Sequence, residues 1–214
     1  MRAVWDALAA AETEVYVGDP ARGEEELASL VGRLGADPRG GVCVEVGCGP
    51  GRMTSALAAR FDTVVALDVS PEMIARAREE VTAPNIDFRE VSGERLDGVA
   101  DASADVAVCY LVLQHLPARR LVRAYVCELA RVLRPGGEAF VQLPVLDGGL
   151  LPRLWRALRT PVAHVSKPEL RGVRLTRREL DQAIAGAALT VVATDAGPDS
   201  PYRFSTDLFL RLRR

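Results

Sequence analysis

The segment that most constrains the fold is a strand, a glycine-rich turn and a helix within residues 42–60. Apolar and β-branched residues up to Val46 predict a buried strand, and apolar spacing from Arg52 to Arg60 predicts a helix. Three glycines alternate between them, at Gly47, Gly49 and Gly51. A strand, a glycine turn and a helix in this order form phosphate or nucleoside sites in many folds.

The glycine spacing distinguishes between two kinds of nucleotide-binding turn. A dinucleotide-binding fingerprint has its third glycine three residues after the second, and here that position is Arg52. An acidic residue, Glu45, precedes the turn. The spacing therefore disfavours a nicotinamide oxidoreductase. A turn that needs glycine only for its backbone geometry is the structural alternative.

A carboxylate ends the next predicted strand. Residues 63–68 read as a buried strand and end in Asp68, which follows Gly51 by 17 residues. An acid at this place can accept both hydroxyls of a ribose. Ser70 is a good N-cap and Pro71 suits the first helical position, so a helix is predicted over residues 70–82.

Four segments together resemble the class I S-adenosylmethionine (SAM) dependent methyltransferases. Glu45 to Gly51 is similar to the family's E/D-x-G-x-G-x-G, and Asp68 to Met73 is similar to D-x-S-x-x-M. The segment Asp105 to Pro117 resembles D-L-V-x-x-x-x-x-L-H-H-L, and the turn at residues 134–137 resembles L-x-P-G-G. The resemblance covers residues 40–147 strongly and 176–214 loosely.

The resemblance implies an α/β, Rossmann-like class I methyltransferase fold. Its seven-stranded, mostly parallel sheet has the order 3-2-1-4-5-7-6, with the last strand antiparallel, between helices. We expect one domain over residues 1–214, a length that suits a single α/β core. Its parts are a helical N-terminal cap at 1–40, a SAM-binding core at 41–147, a variable lid or acceptor segment at 148–175, and a C-terminal helix and hairpin at 176–214.

The same resemblance implies a SAM site. The glycines approach the methionine portion, Cys109 and Tyr110 line its end, and a tyrosine of the N-terminal extension, Tyr16, reaches the methionine carboxylate. Relatives carry an acid for the adenine amino group where this chain has Ser92. Either Ser92 with backbone groups holds the adenine, or Glu94 does. The expected cofactor-binding residues are Tyr16, Glu45, Gly47, Cys48, Gly49, Gly51, Arg52, Asp68, Val69, Met73, Ser92, Gly93, Glu94, Cys109 and Tyr110.

The implied reaction is methyl transfer to an O, N or C atom of a small molecule by in-line displacement, which leaves S-adenosylhomocysteine (SAH). Positioning and exclusion of water can supply much of the catalysis. His115 and His164 are weak candidates for a general base, and a structural capping role is preferred for His115. A non-catalytic SAM-binding or regulatory module of the same fold is the alternative. The N/D-P-P-Y/F motif of nucleic-acid amino-methylating enzymes is absent from this position.

The acceptor is expected to meet residues 148–175. From residue 153 to 179 there are eight basic and two acidic residues, a net of +6. Clustered arginines bind carboxylates and phosphates bidentately, so Arg153, Trp155 and Arg156 are predicted to contact an anionic acceptor or an anionic membrane surface. The solvated face of a lid helix is the other interpretation.

Composition bounds the remaining possibilities. A formal charge of −2 gives no drive toward nucleic acid, and no apolar run reaches the ~18 residues of a membrane span. Four cysteines without a C-x-x-C pair predict a reduced, cytoplasmic protein without a metal, with thiol-dependent chemistry such as arsenic methylation as a remote alternative. A single lysine among 27 basic residues indicates a GC-rich, bacterial genome. We expect a monomer or a homodimer, without a signal peptide.

Overall fold

The computed structural model describes residues 2–9, 22–146, 172–199 and 205–214. The helices are α1 (Arg2–Ala9), α2 (Gly23–Arg33), α3 (Thr54–Ala58), α4 (Pro71–Glu80), α5 (Arg119–Val132) and α6 (Arg177–Gly186). The strands are β1 (Val42–Val46), β2 (Thr63–Asp68), β3 (Ile86–Glu90), β4 (Ala104–Cys109), β5 (Leu133–Leu146), β6 (Leu175–Thr176), β7 (Thr190–Asp199) and β8 (Thr206–Arg213).

One mixed sheet organises these elements. Its strand order is β3-β2-β1-β4-β5-β8-β7, with the two-residue β6 paired to β5. The first five strands of this order run parallel, and β8 is antiparallel to both β5 and β7. The predicted fold class and strand order are therefore confirmed, and β6 is one strand more than the seven that were predicted.

Alternating side chains of β1 serve two separate cores, because successive residues of a strand point to opposite faces. Val44 and Val46 pack in the cluster that contains Leu129 of α5, whereas Cys43 packs in the cluster that contains Leu30 of α2. Helices thus cover both faces of the parallel strands, which explains their nearly continuous apolar sequences.

Two predicted boundaries differ from the observed ones. The helix expected over residues 52–60 is shortened to α3, because the glycine turn continues through positive-φ Gly51 to Met53. The turn predicted at residues 134–137 lies within strand β5, which begins at Leu133. There the C-terminus extends the pairing into the predicted turn, since Gly136 N donates to Arg214 O at 2.9 Å and Arg214 N to Gly137 O at 3.1 Å.

Helix α6 begins with a capping box, which the Thr-x-x-Glu pattern of residues 176–179 predicts. Thr176 accepts from the backbone N–H of Glu179, and the Glu179 side chain accepts from the N–H of Thr176. In the described ranges no helix is long and apolar enough to cross a membrane. The same ranges hold no group of three His, Cys, Asp or Glu side chains that could bind a metal.

Candidate functional site

A cavity lies at the carboxyl ends of β1, β2 and β4, where the strand order reverses direction. Open α/β sheets bind their ligands at this switch point, because the loops after the two central strands diverge there. Its lining comes from α1, the glycine turn, the ends of β2 and β3, the loop after β4 and α5. The lining residues are Trp5, Val46, Gly47, Cys48, Gly49, Pro50, Arg52, Asp68, Val69, Met73, Val91, Tyr110, Leu111, Val112, Gln114, His115, Leu116 and Tyr125.

The three glycines of the turn all have positive φ but differ in what surrounds them. A Cβ at Gly47 would lie 2.4 Å from a methyl group of Val112, and one at Gly51 would lie 2.6 Å from a methyl group of Val81 on the residue that follows α4. A Cβ at Gly49 would meet no atom of the described residues within 4 Å. Gly47 and Gly51 therefore permit packing within the protein, and Gly49 leaves open a space that belongs to the cavity.

Asp68 joins the end of β2 to the glycine turn. Its Oδ2 accepts the N–H of Gly49 at 2.9 Å, and its Oδ1 accepts the N–H of Ser70 at 2.9 Å. Burial raises the pKa of Asp68, and these backbone N–H groups oppose the rise. A carboxylate has about four lone-pair sites, so two backbone donors leave acceptor capacity for a ligand.

Glu45 is the second buried carboxylate of the site. Its Oε2 accepts the hydroxyl of Thr54 at 2.6 Å, and burial raises its pKa to about 7. It lines a smaller cavity that shares Gly47, Cys48, Arg52 and Tyr110 with the first. Arg52 is in turn paired with Glu26 at 3.0 Å, and both of these side chains are mostly buried. Two buried carboxylates, Glu45 and Asp68, therefore lie beside the glycine turn, where the nearby Arg52 is already paired with Glu26.

Helix α1 covers part of the cavity. Ser70 Oγ donates to Asp6 at 2.5 Å, and Arg2 pairs with Glu90 at 2.6 Å. Trp5 lines the cavity and meets the His115 ring edge-on, with centroids 5.2 Å apart. The helical spacing of apolar residues in α1 predicts that Trp5 packs beneath the glycine turn. The structure instead places its side chain at the cavity.

The loop after β4 contains a strained residue. Leu111 has φ +58°, a left-handed conformation that is costly for a side chain with a Cβ. Its N–H donates at 3.2 Å to Oε1 of Gln142, which is 1% exposed, and the Gln142 amide donates to Asp207 at 3.2 Å. Since Leu111 lines the cavity, the strain is stored at the site, held by a buried amide on β5.

Beyond Val91, residues 92–97 of the loop after β3 do not line the cavity. Ser92 Oγ donates to Asp97 at 2.5 Å, its N–H donates to the same carboxylate at 2.8 Å, and Glu94 N donates to Ser92 Oγ at 3.3 Å. These bonds lower the pKa of Asp97. The Ser92 hydroxyl is therefore committed to Asp97 as donor and to Glu94 as acceptor. Asp97 is an acid that the sequence analysis did not single out.

The structure brings together ten of the fifteen predicted site residues that lie within its described ranges. Those that line the main cavity are Gly47, Cys48, Gly49, Arg52, Asp68, Val69, Met73, Tyr110 and His115, and Glu45 lines the smaller one. Five line neither cavity: Gly51, Ser92, Gly93, Glu94 and Cys109. Five lie outside the described residues: Tyr16, Arg153, Trp155, Arg156 and His164.

Comparison with known proteins gives a family match to the Methyltransferase domain over residues 44–141. A curated relative, "Ubiquinone biosynthesis O-methyltransferase" of Paracidovorax citrulli, is 35% identical over 100 residues, which cover 45% of this chain and 41% of the relative. The chain spans less than half of the length of the curated relatives it matches first.

Solved structures share the fold over almost the whole chain. A SAM-dependent methyltransferase of Leishmania major superposes with a TM-score of 0.71 at 16% identity, covering 98% of this chain and 80% of that one. The "DhpI-SAM-HEP complex" superposes with a TM-score of 0.66 at 21% identity, covering 99% and 95%. At these identities the likeness concerns the fold.

Proposed function

We propose that this chain, which carries a class I SAM-dependent methyltransferase domain, binds SAM in the main cavity and transfers its methyl group to a small-molecule acceptor. The observation that carries the proposal is the open space at Gly49 beside the Asp68 carboxylate. Because Gly49 lines the main cavity, the space that a side chain at this position would fill is space that a ligand can occupy.

The residues present fit a cationic nucleoside. Asp68 would hold the ribose through the acceptor capacity that its two backbone bonds leave over. Gly47, Cys48 and Gly49 would approach the methionine portion, whose ammonium group suits the neighbouring Glu45. Binding of that cation would favour the charged form of Glu45, against the burial that raises its pKa.

The sulfonium of SAM supplies a methyl group that is already activated toward displacement. The contribution of this chain is then to position the two reactants and to exclude water. Trp5, Val69 and Met73 give the cavity an apolar wall, and the Leu111 turn fixes the wall at the end of β4. His115 lines the same cavity, but it is engaged with Trp5 and Gln114, so we assign it to the wall rather than to a general base.

The acceptor site is proposed to involve residues 147–171. Strand β5 ends at Leu146, immediately before this segment, and the chain is described again from Gly172. There Gly172 N donates to Gln114 O at 3.1 Å and Val173 N to Leu116 O at 2.9 Å, beside the cavity wall. Both ends of the segment are therefore anchored at the carboxyl side of the sheet. Its arginines favour an acceptor that carries a carboxylate or phosphate.

Formation of SAH tests the proposal directly. SAH binding is measured by calorimetry first, and SAH release is then followed over a panel of phenols, amines and carbon acids, each with and without a carboxylate. Because the curated relatives are named O-methyltransferases, acidic phenols come first in the panel. SAH binding without turnover on any acceptor would favour the non-catalytic module. Absence of SAH binding to the folded protein would reject the proposal.

A further inference from the structure

Tyr125 is a buried tyrosine whose hydroxyl has no protein partner among the described residues. The side chain projects from the middle of α5, is 4% exposed and lines the main cavity. None of the hydrogen bonds in the described ranges involves its oxygen. The oxygen is also not one of the fully buried side-chain atoms that lack a hydrogen bond in the described ranges. It is therefore accessible from the cavity.

An unused hydroxyl in this position calls for an explanation. Tyrosine hydroxyls in a protein interior usually have a hydrogen-bond partner, and here the cavity is the side from which a partner can reach the oxygen. A phenylalanine at position 125 would fill the same apolar site beside Leu121 and Leu129 without presenting a hydroxyl to the cavity. The hydroxyl is therefore better explained by a partner that enters the cavity.

The two tyrosines of the cavity lie at different ends. The pKa of Tyr110 is raised by burial, and its charged neighbours are Glu26 and Arg52, beside the glycine turn. The pKa of Tyr125 is also raised by burial, with Cys109, Asp68, Asp97 and Glu128 as its neighbours. Tyr110 also lines the smaller cavity beside Glu45, and Tyr125 does not, so Tyr125 lies on the side of the main cavity away from Glu45.

Packing of α5 supports this location. Glu128, three residues after Tyr125, accepts the backbone N–H of Leu96 at 2.8 Å and thereby fixes α5 against the loop after β3. Val91 after β3 and Val69 after β2 also line the cavity. The Tyr125 hydroxyl therefore faces a cavity whose wall includes apolar side chains from both of these strand ends.

We propose that the Tyr125 hydroxyl donates a hydrogen bond to a ring nitrogen of the adenine of SAM. The inference rests on the proposed function: with the ribose at Asp68 and the methionine portion at the glycine turn, the adenine takes the remaining end. Adenine presents ring nitrogens as acceptors at its edge, and a tyrosine hydroxyl is a suitable donor. Tyr125 thereby supplies polar recognition in a chain whose Ser92 hydroxyl is already bonded to Asp97.

The test is Tyr125→Phe, measured by calorimetry with SAH and with its 1-deaza, 3-deaza and 7-deaza analogues. The variant should bind SAH about fivefold more weakly, the effect of one hydrogen bond. For the one analogue that lacks the accepting nitrogen, wild type and variant should bind equally, and for the other two the difference should persist. Without ligand, the thermal midpoint should be unchanged, because the hydroxyl has no partner in the protein.

Tyr110→Phe is the matched control, since it removes the hydroxyl of the other tyrosine among the described residues that line the cavity. Any loss it causes should be the same for SAH and all three analogues. Equal SAH affinity of Tyr125→Phe and wild type, an equal loss with all analogues, or a lower midpoint without ligand would each overturn the inference. If wild type binds SAH and Asp68→Ala weakens it, these outcomes reject the role of Tyr125 alone. If wild type does not bind SAH, the proposed function itself fails.

Discussion

The floor and the cover of the cavity are held by different kinds of contact. The floor is the glycine turn with Asp68, where Gly47 N and Cys48 N donate to Leu67 O at 2.7 and 2.9 Å. The cover is α1, which is held to β3 and α4 by side chains such as the half-exposed Arg2–Glu90 pair. Backbone bonds between buried strands belong to the cooperative fold, whereas an exposed ion pair contributes about 0 to 1 kcal/mol.

This difference indicates which part of the site can open without unfolding of the sheet. Opening the floor would break the parallel pairing of β1 and β2, while opening the cover breaks a few side-chain contacts and exposes Leu8 and Met73. We therefore expect the floor to set whether the cofactor binds and the cover to set how long it stays.

The largest effect is expected at the centre of the floor. Gly49→Val should abolish measurable SAH binding, because its side chain would fill the space that the cavity leaves open. Gly35→Val is the matched control: Gly35 has φ +62°, against +54° for Gly49, and a Cβ there also meets no atom of the described residues within 4 Å. Both variants should lose a similar free energy of unfolding, about 1 to 2 kcal/mol, because each places a side chain with a Cβ in the left-handed backbone conformation. Retained SAH affinity in Gly49→Val would place the cofactor elsewhere.

The second-largest loss of SAH affinity is expected at Asp68, the carboxylate of the floor. Asp68→Ala should weaken SAH binding about 100-fold, since hydrogen bonds to a charged acceptor contribute about 1.5 to 3 kcal/mol each. Asp62→Ala is the control, because Asp62 accepts the Gly41 N–H at 2.7 Å near the opposite end of the same strand. Calorimetry should show unchanged affinity for the control. Equal losses in the two variants would indicate a general effect on β2 rather than contact with the ribose.

The floor also carries a titratable group whose effect on stability has a defined sign. The pKa of Glu45 is about 7 in the folded protein, against an ordinary value of 4.5. Between these values the folded state holds a proton that the unfolded state has released, so stability falls as pH rises from 4.5 to about 7. Glu45→Gln should remove about 2 kcal/mol of this decline.

Chemical denaturation at pH 5 and pH 8 measures the Glu45 effect, with wild type and Glu45→Gln compared at each pH so that other groups cancel. The variant should gain stability mainly at pH 8 and, if Glu45 meets the methionine ammonium, lose SAH affinity there. A pH profile parallel to that of wild type would contradict the raised pKa. Groups at functional sites commonly favour ligand binding while they lower the stability of the folded protein.

The floor and the cover also differ in how far the sequence predicts them. Gly49 and Asp68 belong to short motifs in which local spacing fixes the relative position of strand, turn and carboxylate, so both were placed at the site in advance. Trp5 and Tyr125 lie on apolar faces of α1 and α5, and the helical spacing of apolar residues predicts these faces. A helical period shows which residues face inward, but it does not show where the interior contains a cavity. That depends on contacts between residues far apart in the chain, such as Trp5 with His115.

The smallest effect is expected at the cover. Trp5→Ala removes the edge-to-face contact with His115, a kind of contact worth about 0.5 to 1.5 kcal/mol, and opens the cavity wall. SAH should dissociate about five times faster, with little change in the association rate, because the floor remains formed. Val4→Ala, which shortens another partly buried side chain of α1 outside the cavity lining, should leave the dissociation rate near that of wild type. Stopped-flow displacement measures both rates. If Trp5→Ala instead slowed association and left dissociation unchanged, α1 would act in capturing the cofactor, and the division between a binding floor and a retaining cover would be wrong.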